Sequence, residues 1–206
     1  MTTTIGLPWD QDVRWRSVLV TPPADRVLEA AYVRDRYLRS ADTSGVEDDL
    51  IDAYIAAATE AAEHDTGRAL LPQAWQLLLD AFPEDGVIVL PKLPVVEVTT
   101  FAYVDEDGTL QTLAGSPADY AYRAAGEWTR AEVSPLYGES WPGIRTERDA
   151  VRITYQAGYA NAAEVPSIIV AGIGLLAAAL YADRTLTVTE DAKQELKLHR
   201  FWKRVP

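Results

Sequence analysis

The chain has 206 residues, 48% of them hydrophobic and 24% charged, so it is long enough to bury a core and has the composition of a folded protein. It contains no cysteine, which excludes disulfides, thiolate metal sites and cysteine nucleophiles. Its net charge of −12 argues against wrapping of nucleic acid, because phosphate binding needs clustered Lys and Arg.

Residues 1–24 are predicted to form an N-terminal arm that ends at the stiff "TPP" of positions 21–23. The arm lacks the basic start and long apolar run of a signal peptide. A first helix is predicted over 25–39, where apolar residues recur at roughly helical spacing: Val27, Ala30, Ala31, Val33, Tyr37 and Leu38.

The second helix is predicted over 44–67. Ser44 and Glu47 have the S-x-x-E spacing of a capping box, in which each side chain satisfies a backbone N–H at the helix start. Gly67 supplies the left-handed residue that ends such helices, and Pro72 prevents the helix from resuming. Apolar residues at helical spacing predict the buried face: Val46, Leu50, Ile51, Tyr54, Ile55, Ala58, Ala61 and Ala62.

Residues 73–157 read as an antiparallel β insertion of about six strands. "QAWQLLLDAF" places Trp75, Leu77 and Leu79 on one face, and Asp107-Gly108 is a signal for a two-residue hairpin. A second hairpin is expected to turn near Gly126, and "AVRITYQAGY" is the last strand.

A third helix is predicted over 165–184, with Pro166 in its first turn. Its apolar core, "SIIVAGIGLLAAALYA", is 16 residues long, short of the ~20 that span a bilayer, and so predicts a buried or subunit-facing helix. A C-terminal arm, 185–206, follows. The fold class is therefore α+β: a helical body of two N-terminal helices and one long C-terminal helix, with the inserted sheet region and an extended C-terminal arm.

Catalytic, cofactor-binding and metal-ligating residues are not predicted, and neither is an enzyme. His64 and His199 have no ligand at metal spacing, and the glycines of "AGIGLL" indicate close helix packing rather than a nucleotide loop. The loop 134–145, with Glu139 beside Trp141, has three open interpretations: a folded loop staple, a surface for another protein, or a carbohydrate-binding or hydrolytic site.

The ordered set of segments resembles the head–tail connector (adaptor) family of tailed bacteriophages, including the adaptors of gene transfer agents. The resemblance covers roughly 21–184. It lies in "TPPADRVLEAAYVRDRYL" (21–38), "DDLIDAYIAAATEAAEHDTGRALLPQAWQLLLDAFP" (48–83), "VIVLPKLPVVEVTTFAYVDEDGTLQTL" (87–113), "SPLYGESWPGIR" (134–145) and "AVRITYQAGYANAAEVPSIIVAGIGLLAAALYADR" (150–184).

This resemblance implies a structural protein whose adaptor domain spans 25–184. Such proteins form a homo-oligomeric ring, usually a dodecamer, below the portal. The ring continues the DNA channel and receives the stopper or tail-completion protein. The implied partners are therefore further copies of the chain, the portal, the stopper and double-stranded DNA that passes without specific binding, with no membrane and no cofactor. The implied location is the neck of a virion or virus-like particle assembled in the bacterial cytoplasm.

Two sets of residues are singled out within this interpretation. The C-terminal arm ends in a basic, aromatic stretch that we expect to dock on the portal through Lys197, Arg200, Phe201, Trp202, Lys203 and Arg204. Gly67 and Pro72 mark a structural junction expected to fix the angle between helical body and sheet insertion. The alternatives are another neck component, a stopper or tail terminator, or the carbohydrate-binding or hydrolytic domain of loop 134–145.

Overall fold

The computed structural model describes residues 13–38, 45–123 and 130–182, and within those limits the chain divides into two units. A sheet unit contains residues 13–22 and 73–158, and a helical unit contains residues 23–72 and 159–182. Helices and antiparallel sheets together make the fold α+β, as the sequence predicts.

Three α-helices lie in the helical unit: α1 (Ala30–Val33), α2 (Asp48–Thr66) and α3 (Ser167–Ala182). A π-helical turn, Arg34–Leu38, extends α1, and a 3₁₀ turn, Ala162–Glu164, precedes α3. The predicted start of the first helix at residue 25 is wrong, since the helix begins at Ala30. Val27 and Leu28 are buried from an irregular segment, so their apolar spacing reflects packing and not helical structure.

The two ends of α2 have different outcomes. At the N-terminal end the helix begins at Asp48 with Glu47 as its N-cap, later than the predicted start at residue 44. Glu47 accepts a hydrogen bond from the Tyr181 hydroxyl. Ser44 lies outside the described residues, so the capping box stays a prediction. The C-terminal prediction is confirmed, because Gly67 follows Thr66 with φ 67° and ψ 18°, a left-handed conformation that glycine adopts without steric cost.

The helical core is one cluster in which α1, α2 and α3 contribute buried side chains. Ile51, Ile55, Ala58 and Ala62 form the buried stripe of α2, as predicted, but Val46 and Leu50 are 80% and 38% exposed and do not belong to it. Gly174 of α3 confirms the packing interpretation of its segment, because an added Cβ would lie 2.5 Å from the ring of Tyr37. No helix in the described ranges is long and apolar enough to cross a membrane.

Eight strands form two antiparallel sheets in the sheet unit. Five strands have the order β1 (Trp15–Thr21), β2 (Gln73–Leu79), β8 (Val151–Ala157), β4 (Val95–Val104) and β5 (Leu110–Thr112); the other three have the order β3 (Ile88–Leu90), β7 (Ala131–Ser134) and β6 (Ala121–Arg123). Strand β1 corrects the prediction of an arm over residues 1–24, because it pairs with β2 along its length. It is an edge strand whose side chains are exposed or half-buried, and its sequence has no regular alternation of apolar and polar residues.

The inner strands bury their apolar residues. Leu77 and Leu79 of β2 are fully buried, whereas Trp75, predicted on the same face, is only partly covered. The β4–β5 hairpin exists, but its loop has three residues, 106–108, closed by the Asp105 N–H donating to Thr109 O, and so is longer than predicted. Strands β6 and β7 pair as the second hairpin, whose turn lies outside the described residues.

Candidate functional site

The described part of the chain offers no chemistry typical of an active site. Within it, no group of three or more His, Cys, Asp or Glu side chains is placed to hold a metal ion. The His64 side chain is 76% exposed near the end of α2, and its Nδ1 lies 3.4 Å from Asp65 Oδ1. His199 lies outside the described residues. The remaining candidates among the described residues are surfaces.

The junction after α2 is held by side chains from both of its sides. The Leu70 N–H donates to Glu63 Oε1 at 2.8 Å, which ties the chain back to the last turn of the helix. Arg68 is 7% exposed and donates to the Tyr159 hydroxyl at 2.7 Å. Pro72 is exposed and directly precedes β2. The two predicted junction residues thus enclose a buried, hydrogen-bonded segment.

Helix α3 exposes apolar residues and carries no charged residue over its whole length. Ile168 and Leu175, two turns apart on one side, are 52% and 57% exposed, while Ile169 and Ile173 are buried on the other. A surface helix normally carries charged residues on its outer face. We call Ile168 and Leu175 the α3 outer face. The composition of this face is that of a surface that becomes covered.

The alanines of α2 and α3 lie in two different environments. Ala58, Ala62 and Ala177 are buried in the helical core. Ala53, Ala56 and Ala57 are exposed on the opposite side of α2. The first set is intramolecular, and the second leaves a smooth surface against which another helix can approach closely.

The loop 134–145 is anchored by Trp141. Its ring stacks on Phe82 with centroids 4.9 Å apart and planes at 8°, and its Nε1 donates to Gly86 O at 2.8 Å. Phe101 from β4, 1% exposed, lies 5.3 Å from the same ring. These contacts support the loop-staple interpretation, because Trp141 is held by the fold on one face and at its polar edge.

A hollow of about 590 Å³ lies between residues 81–86 and the anchored loop. Apolar side chains form much of its lining, including Phe82, Trp141 and Ile144. Glu84, Asp85 and Glu139 are exposed at its rim, and the lining residues include no lysine or arginine. We call this feature the acidic hollow. Its two segments, residues 81–86 and 135–144, are about 50 residues apart in sequence, and only the aromatic loop was apparent beforehand.

A cluster of charged residues links the edge strand β1 to the rest of the sheet unit. Arg16 donates two hydrogen bonds to the Asp149 carboxylate, at 3.0 and 2.6 Å, and the Asp149 N–H donates to Asp80 Oδ1 at 2.9 Å. The hydrogen bond from Arg16 holds the pKa of Asp149 below its usual value. The same hydrogen bond, to the Asp149 carboxylate, raises the pKa of Arg16. This cluster is structural, since its groups bond to each other.

The six predicted portal-docking residues, Lys197, Arg200, Phe201, Trp202, Lys203 and Arg204, lie outside the described residues, as does the whole C-terminal arm. Their role stays a prediction. The α3 outer face was anticipated only as a subunit-facing helix, and the acidic rim of the hollow was missed except for Glu139.

The fold is similar to that of several proteins of known structure. No family model matches the chain, and no curated protein matches it. A chain from the neck of an empty gene transfer agent (GTA) particle, computed with C6 symmetry, is 27% identical with a TM-score of 0.69, covering 84% of this chain and 87% of that one. This chain shares a fold with gene transfer agent proteins.

Two further structures agree with that likeness. A chain in the virion of a native gene transfer agent particle is 29% identical with a TM-score of 0.66, covering 81% of this chain and 84% of that one. A chain from the neck of a native GTA particle computed with C12 symmetry has the same fold at 23% identity and a TM-score of 0.59, with 85% and 87% coverage. The predicted relation to such particles is confirmed at this level, while the adaptor role, the ring size and the portal contact stay predictions.

Proposed function

We propose that the chain is a structural component of the neck of a gene transfer agent or related phage-like particle, and within the neck an adaptor. In this role copies form a ring below the portal, continue the DNA channel and join the head to the stopper or tail. The observation that carries the proposal is the likeness, over more than 80% of the chain, to proteins from the neck and virion of GTA particles.

The α3 outer face supports ring assembly. A helix without charged residues whose two largest outward side chains are more than half exposed suits a surface buried against another copy. Copies in a ring contact each other head to tail, so one surface of a copy meets a different surface of the next. The exposed alanines of α2 provide such a second surface, because small side chains let a neighbouring helix approach.

Charge supports passage of DNA without adhesion. Residues 193–206 contain five basic residues and one acid, a charge of +4, which leaves −16 for the rest of the chain. DNA binding draws much of its free energy from counter-ions released when Lys and Arg neutralise phosphates. A channel surrounded by many copies of an acidic body offers few such contacts, so the duplex can slide.

The C-terminal arm is the proposed portal contact. Phe201 and Trp202 would anchor it in apolar pockets, and the flanking Lys197, Arg200, Lys203 and Arg204 would match an acidic portal surface. Deletion of residues 193–206 is expected to abolish binding to the portal of the same particle without changing the circular dichroism spectrum. Undiminished binding of the deleted chain contradicts this contact.

The junction is proposed to set the direction in which the chain leaves α2. Gly67 permits the left-handed turn, and Pro72 restricts the backbone just before β2. Gly67→Ala is expected to destabilise the fold by about 1 kcal/mol, because alanine is strained at positive φ. If the junction also serves assembly, the variant loses ring formation at temperatures where it is still folded.

The ring proposal is tested with two matched variants. Leu175→Asp places a charge on the α3 outer face, and Leu110→Asp places one on β5, where the leucine is 53% exposed compared with 57% for Leu175. Both are expected to fold, since each changes an exposed residue. Light scattering, alone and with the portal, should show rings for Leu110→Asp and none for Leu175→Asp. Equal assembly of the two variants contradicts the α3 interface, and absence of the protein from particle necks in electron micrographs contradicts the proposed function.

A further inference from the structure

The acidic hollow has the features of a binding site for a chain segment, and the proposed ring interface does not use it. It is an open concavity of about 590 Å³ that combines an apolar floor with a charged rim. Ligand sites in proteins share this design: apolar and aromatic lining for affinity, with a few polar groups that select the ligand.

The floor of the hollow is fixed before any ligand arrives. Trp141 is parallel to Phe82, hydrogen-bonded to Gly86 and in contact with the buried Phe101. A side chain held from three directions loses little conformational freedom when a ligand packs on it, so less binding free energy is spent on ordering it.

The rim selects for positive charge. Glu84, Asp85 and Glu139 are exposed around the apolar floor, and the lining includes no cation to neutralise them. A lysine or arginine that enters the hollow gains both carboxylate contacts and the attraction of the aromatic faces. The ligand of best fit is therefore a basic segment that also carries apolar or aromatic residues.

The chain itself contains such a segment in residues 193–206, the basic end. It carries a charge of +4 in a protein of −12 and includes Phe201 and Trp202. The 24 residues that follow Ala182 span roughly 80 Å when fully extended. We infer that the acidic hollow binds the basic end when the protein is free of the particle.

This inference adds a step to the proposed role of the arm. The same cations and aromatic residues cannot occupy the hollow and the portal together, so the portal has to displace the basic end from the hollow. The hollow then keeps the basic, aromatic residues of the basic end covered until the portal is present. Binding in the hollow requires no particle component, and it is therefore tested separately from the proposed function.

The absence of cysteine makes disulfide trapping in the full-length chain direct. Ser140→Cys at the hollow is combined with His199→Cys in the basic end, and the control pair is Leu110→Cys with His199→Cys. Under mild oxidation the hollow pair should crosslink at least about tenfold faster than the control pair, because docking raises the local concentration of the two thiols. A monomer-sized product shows docking within one chain and a dimer-sized product docking between copies, and both support the inference.

Charge reversal provides the second arm. Glu84→Lys with Glu139→Lys, added to the hollow pair, should reduce the crosslinking rate to that of the control. Glu60→Lys with Glu97→Lys changes the net charge equally at exposed sites outside the hollow lining and should leave the rate high. Equal rates for the hollow and control cysteine pairs overturn the inference, as does a hollow rate that Glu84→Lys with Glu139→Lys does not lower. Loss of portal binding on deletion of the basic end, with no trapping in the hollow, would leave the portal proposal intact and reject this one.

Discussion

The helical unit and the sheet unit are stabilised by different means. In the helical unit, small residues such as Ala58 and Gly174 let helices approach closely around one aliphatic core. In the sheet unit, rings cluster around Phe101, and the Arg16–Asp149 pair ties down the edge strand. The outer surfaces differ as well, because α3 exposes uncharged apolar residues while the hollow of the sheet unit exposes carboxylates. The surface of the helical unit therefore fits the proposed packing between copies, and that of the sheet unit fits the proposed binding of a basic segment.

The largest loss of stability is expected when the aromatic cluster of the sheet unit is disrupted. Phe101→Ala removes a ring that is 1% exposed and contacts Trp141 and Tyr120, so we expect a loss of about 3–5 kcal/mol in the free energy of unfolding. Urea denaturation followed by tryptophan fluorescence measures it. Leu110→Ala, which truncates an exposed residue of β5, is the control and should change stability by less than about 0.5 kcal/mol. A loss below about 1 kcal/mol for Phe101→Ala would show that the cluster is not the core of this unit.

A smaller loss of stability is expected from filling the close contact between Gly174 and Tyr37 in the helical unit. Gly174→Ala puts a Cβ 2.5 Å from the Tyr37 ring, and the overpacking cost of about 1–3 kcal/mol exceeds the gain of about 1 kcal/mol from replacing a helical glycine. The net result should be a loss of about 1 kcal/mol. In a Tyr37→Ala background the same substitution should become stabilising. An effect of the same sign in both backgrounds would refute close packing as the reason for this glycine.

The smallest effect concerns the ion pair of the sheet unit and depends on pH. The pKa of Asp149 is lowered in the folded state by Arg16, so the pair stabilises the fold above the unfolded pKa and its contribution is lost as pH falls through the folded value. Asp149→Asn keeps a residue that tolerates the positive φ of 57° but removes the charge. Its stability should be slightly below that of the parent chain at pH 7.

The pH profile distinguishes the charge from other causes. The gap between the parent chain and Asp149→Asn should close as pH falls below about 4, where the unfolded carboxyl becomes protonated. Glu97→Gln, which removes an exposed carboxylate from β4, serves as the control for charge removal alone. A gap that stays constant down to pH 2 would assign the effect of Asp149→Asn to packing.

Local signals in the sequence predicted much of this fold. Features that depend on contacts between distant residues were not predicted. Gly67 ended α2 as expected, because a left-handed cap is a property of a few neighbouring residues. The start of α2 was predicted at residue 44, whereas the helix begins at Asp48, and the contact of its N-cap Glu47 with Tyr181, 134 residues away, was not predicted. Strand β1 was missed because an exposed edge strand leaves no periodic pattern.

For the candidate surfaces too, local sequence composition was informative and contacts between distant residues were not predicted. The apolar composition of α3 indicated a covered helix, and the structure showed which of its sides remain open. The acidic hollow arises only when residues 81–86 meet the loop around Trp141, a contact that no spacing in the sequence indicates. The same holds for the bond between Arg68 and Tyr159, 91 residues apart.

The uncharged length of α3 has a consequence for when copies associate. Each chain carries −12, so two copies repel one another at a distance, whereas the proposed apolar contact between the α3 outer face of one copy and α2 of the next acts only at close range. Dissolved ions shorten the range of that repulsion to about 8 Å at physiological concentration and leave apolar contact largely unaffected. Dilute buffer should therefore keep the subunits apart, and added sodium chloride should bring them together, opposite to the weakening it causes for a bond between a basic segment and a carboxylate rim.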